Sequence, residues 1–94
     1  MKIEFEYDEH KSHSNKQKHG IDFEESKVLF SDDLVAIGVN SLKSELRYLA
    51  VGRLEGKFYT VIYTYRGLKV RIISTRRSRK NEEKLYEEYH SKRV

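Results

Sequence analysis

Arg66, Lys69, Arg71, Arg76, Arg77 and Arg79 all fall within residues 57–80, a stretch without a single Asp or Glu, while most of the acidic residues lie in the first third of the chain or its last twenty positions. Cations segregated in this way suit a polyanionic partner, nucleic acid before a neutral small molecule. The total of 19 Lys and Arg against 15 Asp and Glu gives only +4, an excess that a solvated basic surface would explain equally well, so it is the segregation that points to a partner. RNA asks little of such a surface, because its own 2′-hydroxyl can attack the adjacent phosphorus. Arginines can then stabilise charge on the pentavalent phosphate while a His, Glu or Tyr moves protons at the two oxygens. Plain RNA binding would use the same cations, and the residues alone do not separate the two.

Other chemistries find less support. A metal-dependent nuclease needs several oxygen or nitrogen ligands at once. His10 and His13 would share a helix face, but no third ligand has suitable spacing, and a polar surface helix explains the pair more cheaply. No nucleophile elbow or Gly-rich phosphate loop is present, and no metal or other cofactor is expected. The chain has no Cys, which leaves the cytosol as the default compartment. Acids interrupt the opening residues where a secretory signal would be apolar, and no stretch approaches membrane-spanning length, so no membrane partner is expected.

The elements that must position the cations can be read in outline. A chain of 94 residues is expected to form one domain over 1–94, since either half alone would bury too little apolar surface. Residues 2–7 alternate polar and apolar, as in a short edge strand or extended arm. Residues 8–18 hold no apolar side chain and read as a loop or a wholly solvated helix. Asp22 with Glu25 forms a capping-box start for a short helix that Ser31-Asp32-Asp33 ends, and 34–39 reads as a β-branched strand. Segments 47–54, 57–65 and 68–76 form an antiparallel meander through Glu55-Gly56 and Arg66-Gly67, and Ser78 offers an N-cap to a helix over 79–92. The class is α+β.

Two-residue turns would pair Leu54 with Lys57 and Tyr65 with Leu68, and the faces follow by counting. Tyr48, Ala50, Gly52, Leu54, Tyr59, Val61, Tyr63, Tyr65, Leu68, Val70, Ile72 and Ser74 then share an aromatic and aliphatic core side, which makes Tyr48, Tyr59 and Tyr63 packing residues before stacking platforms. Arg47, Arg53, Lys69, Arg71, Thr75 and Arg77 share the other side, where converging like charges favour a phosphate backbone or an acidic partner. One extra residue in either loop would swap the faces of every strand beyond it.

Lys11-Ser12-His13-Ser14-Asn15-Lys16-Gln17-Lys18-His19-Gly20-Ile21-Asp22-Phe23-Glu24-Glu25 resembles the K-x-x-x-N-x-x-K-H-G-I-x-F-x-E signature near the start of BrnT toxins. Glu45-Leu46-Arg47-Tyr48-Leu49-Ala50-Val51-Gly52 is similar to the E-x-R-x-x-x-x-G strand of that family, and Val61-Ile62-Tyr63-Thr64 followed by Arg71-Ile72-Ile73-Ser74-Thr75-Arg76 to its closing strands. The Glu82 to Tyr86 spacing agrees as well, so the likeness spans nearly the whole chain. Tyr7 stands where the family often has Trp, and Arg77 makes the end of the last strand unusually basic.

The resemblance implies a RelE-like ribonuclease fold of two N-terminal helices, a four-stranded antiparallel sheet and a C-terminal helix, in which the apolar-free stretch 8–18 becomes the first helix. It implies a translation-inhibiting RNA endonuclease, neutralised by a cognate BrnA-like antitoxin of ribbon-helix-helix type. Operator DNA would be met only through that antitoxin, and a homodimer within a toxin–antitoxin heterotetramer is one assembly such a pair allows. Carried over by position, His19, Arg47 and Arg76 are the expected catalytic residues and Arg71 and Arg77 their phosphate-binding neighbours. Arg53 and Lys69, on the inferred basic face, complete the RNA-binding set. His19 has a second reading, as a cation at a helix C-terminus before an αL Gly20. Arg76 falls opposite Arg47 unless a bulge near Ser74 turns the strand end or Arg76 works from the rim. A non-catalytic RNA-binding module is the rival, and a degenerate toxin kept for complex formation and operon repression is a third possibility.

Overall fold

Glu55 and Gly56 adopt φ of 52° and 77°, the consecutive left-handed pair that a type I′ hairpin turn requires, and Leu54 pairs with Lys57 as the spacing predicts. The computed structural model describes residues 2–31 and 33–92, so Asp32 of the expected helix stop lies outside the described residues. The hairpin joins β3 (Glu45–Leu54) to β4 (Lys57–Arg66), with β2 (Val35–Leu42) and β5 (Lys69–Arg77) on either side. The class is α+β, but the sheet differs from the four antiparallel strands expected. Residues of β1 (Phe5–Glu6) pair parallel to β5, Phe5 with Val70 and Glu6 with Arg71. Among the described residues this gives a five-stranded mixed sheet in the order β1-β5-β4-β3-β2.

The second hairpin corrects the counted register. Arg66 pairs with Lys69, so Gly67, at φ 61°, and Leu68 form the turn, and Leu68 is 98 % exposed rather than packed. The slip is by two residues, which leaves the faces unchanged but puts Arg71 instead of Lys69 opposite Thr64. Farther along, Tyr63 pairs with Ile72 and Ile62 with Ser74, leaving Ile73 as an extra residue of the bulge kind. Beyond it the faces exchange. Thr75 turns into the core, fully buried, where its Oγ1 accepts from Ser26 Oγ at 2.8 Å. Ser74 and Arg76 move to the side of Arg47, and Arg77 moves away from it.

The helix-side core holds Ile21, Phe23, Leu29, Ala50, Tyr59, Val61, Tyr63, Val70 and Ile72. It is covered by α1 (Glu9–His19), the single turn α2 (Phe23–Ser26) and a 3₁₀ turn, Lys27–Leu29. The Asp22–Glu25 capping box that starts α2 is present in both directions, at 2.7 and 2.9 Å. On the opposite face α3 (Lys80–Ser91), whose N-cap is Arg79 and not Ser78, lays Tyr86 against Val35 and Val51.

The polar run 8–18 is helical because its ends are capped. Asp8 Oδ1 accepts from the Lys11 amide at 3.0 Å and Gly20 closes the helix at φ 76°. It docks through buried polar groups instead of an apolar stripe. Ser12 Oγ accepts from the Phe23 amide at 2.9 Å. Where β1 ends, Asn15 takes over the edge of β5 like a strand neighbour: its Nδ2 donates to Thr75 O at 2.7 Å and to Ile21 O at 2.7 Å, and its Oδ1 accepts from the Thr75 amide at 3.2 Å. Asn15→Ala would strand these buried groups. It is expected to lower the unfolding free energy by about 2 kcal/mol in a urea titration, and an unmoved midpoint would contradict the edge-capping role.

Candidate functional site

The face that α3 covers only in part is where the cations meet. Tyr86 and Glu82 of α3 sit over Val51, Phe58 and Thr60, leaving the start of β3, the end of β4 and the start of β5 open. The two-residue slip and the strand alternation bring Arg47, Arg66 and Arg71 from these three strands into one groove, together with Lys11 of α1. Asp8, Glu45, Thr64, Ile72 and Ile73 complete its lining.

The carboxylates hold the arginines loosely. Glu45 takes Arg47 Nε at 3.3 Å and Arg66 Nη2 at 3.5 Å, and Glu6 of β1 takes Arg71 Nη1 at 2.8 Å. Each of these contacts engages one N–H of a guanidinium that has five. The pairs are partly exposed and worth under about 1 kcal/mol each, so a phosphate can displace the carboxylates at small cost. The amide of Lys11 holds the Asp8 carboxyl below its ordinary range, which keeps a negative charge on the helix cap at the rim.

Arg76 is held differently. The bulge at Ile73 puts it on the groove's side of the sheet, but its guanidinium forms a bidentate pair with Glu82 at 2.8 and 2.9 Å. Glu82 is only 4 % exposed and also accepts from Thr60 Oγ1 and the Arg79 amide at 2.9 and 2.8 Å. The Arg76 guanidinium, with these hydrogen bonds, pushes its carboxyl down from 4.5 to about 2.

A family model described as the ribonuclease toxin BrnT of type II toxin-antitoxin systems matches residues 7–82 of the chain. The chain belongs to the BrnT family. No curated protein gives a significant match. The matched segment contains every residue that lines the groove, together with Arg76, and closes on Glu82. A type II system supplies an antitoxin partner, and no helix among the described residues is long and apolar enough to cross a membrane.

The residues expected from the BrnT resemblance and from the counted basic face do not all meet. Arg47 and Arg71 share the groove. His19 ends α1 and lines a neighbouring concavity with Lys11, Ser14, Asn15, Lys18, Ile73 and Ser74; Lys11 and Ile73 belong to both. Arg53 stands over the Phe58 ring at 5.2 Å, exposed and farther along the sheet. Lys69 is exposed at the strand end beside Arg66. Arg77 lies on the helix-covered face, 5.7 Å from the Tyr59 ring, because the bulge exchanged its side with that of Arg76. Lys11, Glu45 and Asp8 lie outside the expected site residues, and so does Arg66, although it belongs to the basic stretch 57–80. Arg66 sits in the turn of the counted register, and Lys11 is only a letter of the signature; the basic type of both and the Glu-x-Arg spacing are the signals that the sequence offers.

Proposed function

We propose that this BrnT-family chain is an endoribonuclease that cuts single-stranded RNA without a metal ion, with Arg47 and Arg71 gripping the scissile phosphate and Lys11 and Arg66 its neighbours. The observation that carries this reading is the convergence of cations from α1, β3, β4 and β5 on one open groove. The substrate's 2′-oxygen bonds to phosphorus as the bond to the 5′-oxygen breaks. The 2′-hydroxyl proton leaves to a base and a proton reaches the departing oxygen. Glu45 and Asp8 in the groove, and His19 beside it, are the groups of suitable chemistry. The guanidinium groups stabilise the charge that builds on the non-bridging oxygens, the larger share of the effect in a site of this kind. Arg76, fixed by Glu82, contributes by tying α3 to the end of β5 and so leaving the groove open. A BrnA-like antitoxin would neutralise the enzyme by covering the groove with carboxylates of its own.

Purified protein incubated with RNA in EDTA is expected to produce fragments with 2′,3′-cyclic phosphate or 3′-phosphate ends and 5′-hydroxyls. RNA left intact at large enzyme excess would sink the reading, and cleavage that returns only when a divalent ion is added would sink its metal independence. Expression should arrest growth, and a co-expressed antitoxin should relieve the arrest.

A further inference from the structure

β3 and β4 separate before their ends. Their pairing stops at Tyr48 and Tyr63, although β3 begins at Glu45 and β4 runs to Arg66. Past that point a side chain replaces the ladder, Thr64 Oγ1 donating to Leu46 O at 2.6 Å. The slot so opened is walled by Leu46, Tyr48 and Tyr65, while Glu45, Thr64 and Arg66 line both it and the cationic groove. Tyr65 is held by T-shaped contacts to Tyr48 and Tyr63, at 5.4 and 6.0 Å between ring centroids, yet it is 54 % exposed, and Leu46 is 52 % exposed. A lone boundary tyrosine would need no explanation. Two large apolar side chains facing water on the helix side of the sheet, where the parted strand ends lead round to the basic groove on the other side, do.

We propose that the slot is a nucleobase subsite for single-stranded RNA: a strand leaving the Arg47 and Arg71 groove passes the parted ends of β3 and β4 beside Arg66, and a base beyond them rests against Tyr65 and Tyr48 on the other side of the sheet. Arg66 on the shared wall takes the connecting phosphate. The proposal rests on the cleavage reading above. It follows from ordinary base recognition, in which an unstacked base finds an aromatic surface beside a phosphate-binding cation. A duplex, whose bases are already stacked, has nothing to offer the slot.

The test is fluorescence anisotropy with a labelled single-stranded RNA bearing 2′-O-methyl groups throughout, which cannot cleave itself. Tyr65→Ala is expected to raise Kd about tenfold without changing the slope of log Kd against log salt, because no phosphate contact is lost. Arg71→Ala should flatten that slope by about 0.7, and Tyr65→Phe should bind within about twofold of the parent because the stacking ring remains. A second arm starts from the parent protein: an abasic nucleotide moved along the RNA should weaken its binding at one position, and that penalty should vanish in folded Tyr65→Ala. Binding by Tyr65→Ala equal to the parent, or an abasic penalty that persists in it, overturns the subsite and leaves the groove standing. Failure of the parent protein to bind RNA at all overturns both.

Discussion

Glu82→Gln is expected to destabilise the fold by about 3 kcal/mol at neutral pH, the scale set by breaking a buried and fully hydrogen-bonded ion pair. The carboxylate accepts from Arg76, Arg79 and Thr60 at once, and a neutral amide can satisfy neither the bidentate geometry nor the charge of Arg76. Acid should reproduce the loss in the parent protein. The folded carboxyl titrates near 2 against an ordinary 4.5, so protons bind the unfolded chain first. The stabilisation is therefore fully present above about 4.5 and is lost as pH falls through about 2. Thermal melts between pH 5 and 2 should show a drop in Tm that is shallower in Glu82→Gln, and parallel curves for the two proteins would refute the assignment.

That pair also shows where the sequence could and could not be read. The Glu55-Gly56 turn was legible because two strand-like runs are separated by two residues of which the second is the glycine that a positive φ favours, and the capping box of α2 because it is local. The second turn was not, since Arg66-Gly67 and Gly67-Leu68 both put a glycine in the loop. Both registers put Val70 and Ile72 on the core side; they differ in whether Leu68 packs there or takes the turn, and it takes the turn, 98 % exposed. An even slip preserves the faces, and so the basic face survived an incorrect pairing. The bulge at Ile73 was legible only as a conflict, Arg76 falling on the wrong side by simple alternation, and the fate of Arg77 and Thr75 followed from it. Helix α1 escaped periodicity for a plain reason: it buries Ser12 and Asn15, and a helix docked by hydrogen bonds has no apolar stripe to find. The groove was legible as a set of cations with Arg47 and Arg71 among them, but Lys11 and Arg66 were not legible as members, because Lys11 arrives from that same helix and Arg66 depends on the turn.

Arg47→Ala and Arg71→Ala should each slow single-turnover cleavage of RNA by about 100-fold, the usual consequence of removing one donor from a developing oxyanion. Stability should hardly move, because the partly exposed pairs with Glu45 and Glu6 are worth under about 1 kcal/mol. That combination separates a role in the groove from one in the fold, where Glu82→Gln is expected to cost stability. Arg47→Lys should recover little, since an ammonium keeps the charge but cannot present two parallel N–H groups to a phosphate. If both arginines serve the same phosphate, the double variant should lose less than the product of the single losses. Full multiplicativity would mean that they act on different parts of the substrate. Lys92→Ala, at the far end of α3, should leave the rate unchanged; an equal loss there would show that net positive charge, and not the groove, governs cleavage.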